Sequence, residues 1–308
     1  MRSFVRAFAS AFASALVLAA ALPAAAAADA LGDYVAARDT AIAASIADAK
    51  AGKSANPAVV KREEAAFKDL GKRLATALGP LKFKGLGAPS YTLFTFIYDE
   101  SSPTRLLDGL AFANKDFSTR LVVTPDSVFQ PWLAARAKDD GAPAALAGGV
   151  KTAMTTAEFF QDALAFDGGY FQPYVDLPVA AAPGETAFAV LGLQADEPPG
   201  NIAPNQIAIV RIADGKAMIG LTMVKLDIKP IAACEAIWKP YKTKVEALQK
   251  AIEKDNKSED PRWEELTRIN DAGSQAFRVC FAREAPAQPF FPVAVKRADA
   301  LLDIARGK

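Results

Sequence analysis

The chain contains no histidine, the residue that most often acts as a general base near neutral pH and binds transition metals. Its absence excludes Ser-His-Asp and Cys-His nucleophilic catalysis, together with histidine-containing zinc or copper sites. The sequence also lacks Gly-x-Ser-x-Gly, Ser-x-x-Lys, P-loop and dinucleotide-binding Gly-x-Gly-x-x-Gly motifs. We therefore predict no catalytic residue, no metal site and no cofactor. Any catalysis would have to use carboxylates.

Two pairs of acidic residues follow apolar, strand-like segments: Asp99 with Glu100, and Asp196 with Glu197. Carboxylates at strand ends can divide the general acid and general base roles that glycoside hydrolysis requires. Adjacent residues of one strand point apart, so a working pair would need one acid from each site. The neighbouring Ser-Pro and Pro-Pro-Gly sequences favour the alternative, in which these acids are solvated turn residues.

A loop with three aromatic residues is the most distinctive candidate for ligand binding. It runs Asp167-Gly-Gly-Tyr-Phe-Gln-Pro-Tyr174, and its two glycines allow a tight turn. Tyr170, Phe171 and Tyr174 offer stacking surfaces for a sugar ring, a peptide or another flat ligand, and Trp132 could join them. We predict a binding site at Asp167, Tyr170, Phe171, Tyr174 and Trp132. In the alternative, the rings fill a hydrophobic core and the glycines end a helix.

The two cysteines indicate a disulfide. The midpoint between Cys234 and Cys280 falls at position 257, inside a charged segment that separates two helical patterns. Residues equidistant from the turn of an antiparallel helical hairpin lie side by side, and both cysteines fall on the apolar seams. We predict a structural Cys234–Cys280 bond, with two buried, reduced thiols as the alternative. The seams comprise Cys234, Trp238, Tyr241, Val245, Leu248 and Ile252, and Trp263, Leu266, Ile269, Gly273, Phe277 and Cys280.

The first 28 residues have the layout of a secretory signal peptide. Positive charge from Arg2 and Arg6 precedes an apolar segment at 7–22, and alanines at 24–28 provide small-residue cleavage positions. We predict cleavage before Asp29, and a mature protein that is periplasmic or secreted. An uncleaved membrane anchor is the alternative, but the apolar segment is shorter than the roughly 20 residues that a spanning helix needs.

The charge composition argues against two classes of partner. The formal net charge of the whole chain is +1, and loss of the two arginines of the signal would bring it to about −1. Charges of both signs alternate along the chain, so there is no electrostatic reason to expect nucleic acid or an anionic membrane. No later apolar segment is long enough to span a membrane. We expect a soluble mature protein whose partner is a small molecule or another envelope protein.

Hydrophobic periodicity predicts an α+β fold with a central, mostly antiparallel sheet between N-terminal and C-terminal helical hairpins. Residues 29–84 have the 3.6-residue period of a helical hairpin, and residues 230–308 that of a second hairpin with a final helix. Alternatively, residues 29–308 form one compact domain. We expect residues 85–229 to form a central region of both strands and helices. Within it we predict strands at 91–98, 109–113, 119–123 and 187–193, and a hairpin of 206–213 with 216–226 around Asp214-Gly215.

These observations favour a non-catalytic, exported protein that binds a ligand or a protein of the cell envelope. The first alternative is a histidine-free hydrolase that uses carboxylates to cleave cell-wall glycans. The second is a structural or scaffold protein built on the two helical hairpins. A cleft with acids from separate strands would favour the hydrolase, an accessible aromatic pocket at Tyr170 would favour ligand binding, and an exposed apolar surface on the hairpins would favour a protein partner.

Overall fold

The structure, a computed structural model, describes residues 30–53, 56–94, 107–139, 171–194, 203–255 and 260–308. The predicted signal peptide at 1–28 lies outside these residues. The described residues divide into two compact units. The first unit comprises the described residues within 1–82 and 89–111. The second unit comprises the described residues within 83–88 and 112–308.

The chain begins its described part with two helices, as the periodicity predicts. Helix α1 covers residues 30–50, and α2 covers Pro57–Leu78. Asn56 caps α2 by accepting a hydrogen bond from the Ala58 N–H at 2.9 Å, and Pro57 occupies the first helical position. In the first unit α2 packs on β1, where the backbone of Gly71 lies against Tyr91.

In the described part of the chain, seven strands form one antiparallel sheet in the order β1-β2-β3-β7-β6-β5-β4, which confirms the predicted fold class. The β6–β7 hairpin turns at Asp214 and Gly215, whose φ angles of 55° and 70° suit the type I′ turn that the Asp-Gly sequence predicts. The strands are β1 Ser90–Phe94, β2 Leu107–Ala113, β3 Thr119–Pro125, β4 Phe171–Leu177, β5 Thr186–Gln194, β6 Ala203–Ala213 and β7 Lys216–Val224.

Strand β4 corrects one prediction, because the second half of the expected loop at 167–174 is a strand. Proline argues against a central strand, but β4 is at the end of the described strand order and, among the described strands, pairs with β5 alone. The register shifts between Pro173 and Val175, and such an irregularity accommodates a residue without an N–H.

The remaining helices all belong to the second unit. Helix α3, Asp126–Asp139, follows β3 and contains Pro131. Helices α4, Ala232–Asp255, and α5, Arg262–Glu284, form the predicted C-terminal pair, and a 3₁₀ turn at Ala285–Ala287 leads to α6, Phe291–Ala305. Buried residues of α6, among them Leu301, cover β6 and β7. Within the described ranges, no helix combines the length and the apolar character needed to cross a membrane.

Candidate binding groove

Helices α4 and α5 are joined at one end by the predicted Cys234–Cys280 disulfide, whose Cα atoms lie 5.5 Å apart. One turn further along, Trp238 packs against Gly273. A Cβ atom added at Gly273 would lie 2.2 Å from Cζ3 of Trp238 and 2.7 Å from Cβ of Tyr241. The indole therefore fits this position only because residue 273 has no side chain, and this contact and the disulfide together hold the helices in close contact.

Beyond this contact the predicted seam is less well covered. Tyr241, Val245 and Leu248 are only half-buried, although Ile252 is buried again. Trp263, which the periodicity placed on the seam, is 41% exposed because it lies in the first turn of α5, beside the connection between the helices. Among the described elements, α5 is the only one on which α4 packs extensively. The distal half of the hairpin thus leaves apolar side chains partly uncovered.

An open groove of about 660 Å³ lies between the distal parts of α4 and α5. Small side chains let another backbone approach closely, and larger apolar side chains beside them provide contact area. Three charged residues complete the lining, with two cations and one anion. The groove is lined by Tyr241, Lys244, Ala247, Leu248, Ala251, Glu265, Arg268, Ile269 and Ala272.

A second groove, of about 500 Å³, lies between α1 and α2 in the first unit. It too has many alanines, but no aromatic or large aliphatic side chain lines it. Two of its lining cations are engaged in ion pairs, Arg62 with Asp48 and Arg73 with Asp69. Because interface anchors are most often aromatic residues or arginines, this groove offers less to a partner. Its lining residues are Asp33, Ala36, Ala37, Thr40, Ala41, Ala44, Ser45, Arg62, Glu63, Ala66 and Arg73.

The first unit also contains a fully buried carboxyl group, Asp108 on β2. Tyr91 donates a hydrogen bond of 3.2 Å to Oδ2, and the Arg38 guanidinium lies 3.8 Å from Oδ1. Burial raises the pKa of Asp108, while the hydroxyl of Tyr34, the charge of Arg38 and the hydroxyl of Tyr91 act to lower it. Neither of the two grooves is lined by Asp108. Its arrangement is that of a buried polar cluster that ties α1 to the strands.

A buried carboxylate of the second unit, Glu185, has a different environment. It accepts hydrogen bonds from Arg211 at 2.5 Å, from Arg306 at 2.7 and 3.2 Å, and from the Ala182 N–H at 2.7 Å. Burial alone would raise the pKa of Glu185, but Arg306, the Ala182 N–H and Arg211 outweigh it and lower the pKa to about 2. Arg306 also donates to the Ala180 carbonyl at 2.6 Å. This cluster fastens the end of α6 to the segment before β5.

The aromatic site predicted from the sequence lies largely outside the described residues. Asp167 and Tyr170 are outside them, and Phe171 and Tyr174 belong to β4. Trp132 is 2% exposed on α3, and its ring centroid is 5.5 Å from that of Phe129, so it lies in the core of the second unit. The predicted stacking site remains a prediction. The four acids at 99, 100, 196 and 197 are likewise outside the described residues.

Sequence reasoning placed the groove residues Tyr241, Leu248 and Ile269 on the apolar seams, but it did not single out the groove alanines. Ala247 and Ala251 are four positions apart and share a helix face, but alanine is compatible with both core and surface, so hydropathy alone does not mark them.

No group of three or more cysteine and carboxylate side chains in the described part of the chain is placed to hold a metal ion. Comparisons with protein-family models, with curated proteins and with solved structures found no match.

Proposed function

We propose that this protein is an exported binding protein, without catalytic activity, that holds an amphipathic helix of another envelope protein in the groove between α4 and α5. The observation that carries the proposal is the 660 Å³ groove itself, with its alanine floor. Tyr241, Leu248 and Ile269 supply apolar area beside that floor. Binding of an amphipathic helix by an apolar groove is a common mode of protein recognition.

The dimensions of the groove favour a short helix as the bound segment. On α4 the lining residues run from Tyr241 to Ala251, about 15 Å at 1.5 Å per residue, or close to three helical turns. The lining contains two cations, Lys244 and Arg268, and one acid, Glu265. This excess of positive charge favours a partner helix with acidic residues beside its apolar stripe.

The construction of the hairpin supports binding because the groove is formed before the partner arrives. The Cys234–Cys280 bond and the Trp238–Gly273 contact fix the separation of the two helices at one end. A partner then loses less binding free energy to ordering of the site. A disulfide is typical of proteins that work in oxidising compartments, and with the signal-like pattern of residues 1–28 it supports a periplasmic or secreted location.

A designed peptide tests the proposal. The probe is a helical peptide of about three turns with leucines on one face and flanking glutamates, titrated into the purified protein by calorimetry. We expect Ala251→Glu, which fills the groove floor and adds negative charge, to weaken the affinity at least about tenfold, or about 1.4 kcal/mol. Ala236→Glu is the matched control, since Ala236 is an exposed residue of α4 that does not line the groove.

Two results would contradict the proposal. One is the absence of measurable binding by the unmodified protein while its melting temperature shows that it is folded. The other is equal weakening by Ala251→Glu and Ala236→Glu. If Tyr170→Ala weakened the binding while Ala251→Glu did not, the aromatic loop predicted from the sequence would be the binding site instead.

A further inference from the structure

The turn between β2 and β3 holds a phenylalanine in an unusual backbone conformation. Phe117 has a φ of 57°, in the left-handed region that bulky side chains rarely adopt. Its ring is not buried in compensation, since the residue is 62% exposed. Glycine or asparagine would occupy this position with less strain. A strained and exposed aromatic residue points to a role for the ring outside the fold.

Hydrogen bonds around the turn impose this conformation. The Phe117 N–H donates to the Asn114 carbonyl at 3.1 Å, and the Asn114 side-chain oxygen accepts from the Thr119 N–H at 3.0 Å. Asp116 accepts from both the backbone N–H and the hydroxyl of Ser118, at 3.2 and 2.8 Å. Side chains on both flanks therefore fix the turn, and they leave the ring of Phe117 pointing away from a protein core.

The neighbours of Phe117 combine apolar and cationic side chains. Met223, which is 40% exposed, donates its N–H to the Ser118 carbonyl at 2.8 Å and so lies beside the turn. The Arg120 guanidinium carbon lies 5.7 Å from the centroid of the Phe117 ring. Lys115 in the turn and Lys225, two residues beyond Met223, are both exposed. Asp116 in the turn is also exposed and keeps its negative charge, since its hydrogen bonds with Ser118 lower its pKa, so the set contains three cations and one acid.

We propose that the Phe117 turn, residues 115–118 with Arg120, Met223 and Lys225, is a contact site for an anionic lipid surface. The ring of Phe117 and the side chain of Met223 would enter the interface between headgroups and acyl chains. Lys115 and Lys225, which are exposed, would meet the phosphates, and Arg120, whose guanidinium lies over the Phe117 ring, would add positive charge beside them. The near-neutral net charge of the whole chain gave no indication of this, because a net charge does not show where the cations lie.

Vesicle sedimentation tests the proposal with the purified protein. The probes are vesicles of phosphatidylcholine mixed with phosphatidylglycerol, and vesicles of phosphatidylcholine alone. We expect binding to the mixed vesicles that weakens with added salt. Phe117→Asn should reduce this binding about tenfold, the loss expected for one buried aromatic side chain, while leaving the melting temperature unchanged or higher. Val279→Asn is the control, because Val279 is 60% exposed on α5 and lies outside the turn.

Three sedimentation results would overturn the proposal. The first is the absence of sedimentation with either type of vesicle, and the second is equal binding of the protein to both types. The third is binding by Phe117→Asn that equals binding by the unmodified protein. The last outcome would also identify a membrane contact made elsewhere in the chain. A melting temperature lowered by Phe117→Asn would show that the ring stabilises the fold, so that its exposure and backbone strain would no longer point to a lipid contact.

Discussion

The two helical pairs of this protein are held together by different interactions. Helices α4 and α5 are joined by a disulfide and by a tryptophan packed on a glycine, both of which are buried. Between α1 and α2 the described contacts include the Arg62–Asp48 ion pair, with Arg62 largely exposed. Beside them, α1 contributes Arg38 and Tyr34 to the surroundings of the buried Asp108.

This difference has a consequence for the two grooves. Buried apolar residues such as Leu70 and Leu74 also stabilise the first unit, but the Arg62–Asp48 ion pair weakens with added salt, whereas the Cys234–Cys280 bond does not. We therefore expect salt to affect the α1–α2 groove more than the α4–α5 groove. All three tryptophans, Trp132, Trp238 and Trp263, belong to the second unit. Tryptophan fluorescence therefore reports unfolding of the unit that contains α4 and α5.

Removing the disulfide should have the largest effect. The bond closes a segment of 46 residues, for which the chain-entropy relation gives about 4 kcal/mol. We expect the double variant Cys234→Ser, Cys280→Ser to lower the free energy of unfolding of the second unit by about this amount, measured by fluorescence in urea. Hydrogen exchange in α1 and α2 should not change. Equal losses in the two units would show that their stabilities are not independent.

Gly273→Ala should have the next largest effect. The added Cβ would overlap the Trp238 ring, so α4 and α5 must move apart, although alanine favours a helix by about 1 kcal/mol over glycine. We expect a net loss of about 2 kcal/mol in urea unfolding. Gln275→Ala, at an exposed position of the same helix, is the control. If Trp238→Leu does not restore part of the stability of the Gly273→Ala protein, the tryptophan is not the cause.

Asp108→Asn tests the buried carboxyl of the first unit through pH. Because the folded-state pKa is raised, the contribution of Asp108 is fully present below its ordinary pKa of 3.8 and is lost as pH rises through the folded-state pKa. We expect the variant to become more stable relative to the unmodified protein as pH rises above 3.8. Hydrogen exchange in β1 and β2 measures this difference.

Glu185→Gln is the counterpart in the second unit and should show the opposite sign. The folded-state pKa of Glu185 is about 2, below its ordinary 4.5, so its contribution is present above 4.5 and is lost as pH falls toward 2. We expect the variant to be less stable by roughly 1–2 kcal/mol at neutral pH, with the difference vanishing near pH 2. The same direction of change for both variants would contradict the assigned environments.

The smallest effect should come from the Arg62–Asp48 ion pair. The Arg62 side chain is more than half exposed, and exposed pairs contribute about 0.2–1 kcal/mol. We expect Arg62→Gln to weaken protection of α1 and α2 in hydrogen exchange by no more than this, and high salt to remove the difference. Lys242→Gln, which removes an exposed ion pair of α4 with Glu246, is the control in the other hairpin.

Much of the fold followed from local patterns. The helical pairs were predicted by period, the β6–β7 hairpin by Asp214-Gly215, and the disulfide by the equal distance of both cysteines from one turn. Strand β4 was missed because Pro173 indicates an irregular segment unless the strand is known to be at an edge. Edge position depends on strand order, which no local pattern contains.

The buried cluster at Asp108 was missed for a related reason. The predicted strand began at Gly109, since a charged residue does not fit an apolar run, whereas β2 begins at Leu107. Tyr34 and Arg38 are four positions apart on one face of α1, which is a signal of a shared polar partner. The partner itself lies on a distant strand, so only the three-dimensional structure identifies it. The groove alanines depend in the same way on the packing of α4 against α5.

The hydrogen bonds between Arg306 and Glu185 join residues 121 positions apart, and this separation orders the assembly of the chain. Helix α6 follows every other described element, yet it covers β6 and β7. The apolar face of these strands is therefore covered only when residues 291–305 fold onto it. Contacts of such long range form late and slow the final folding step.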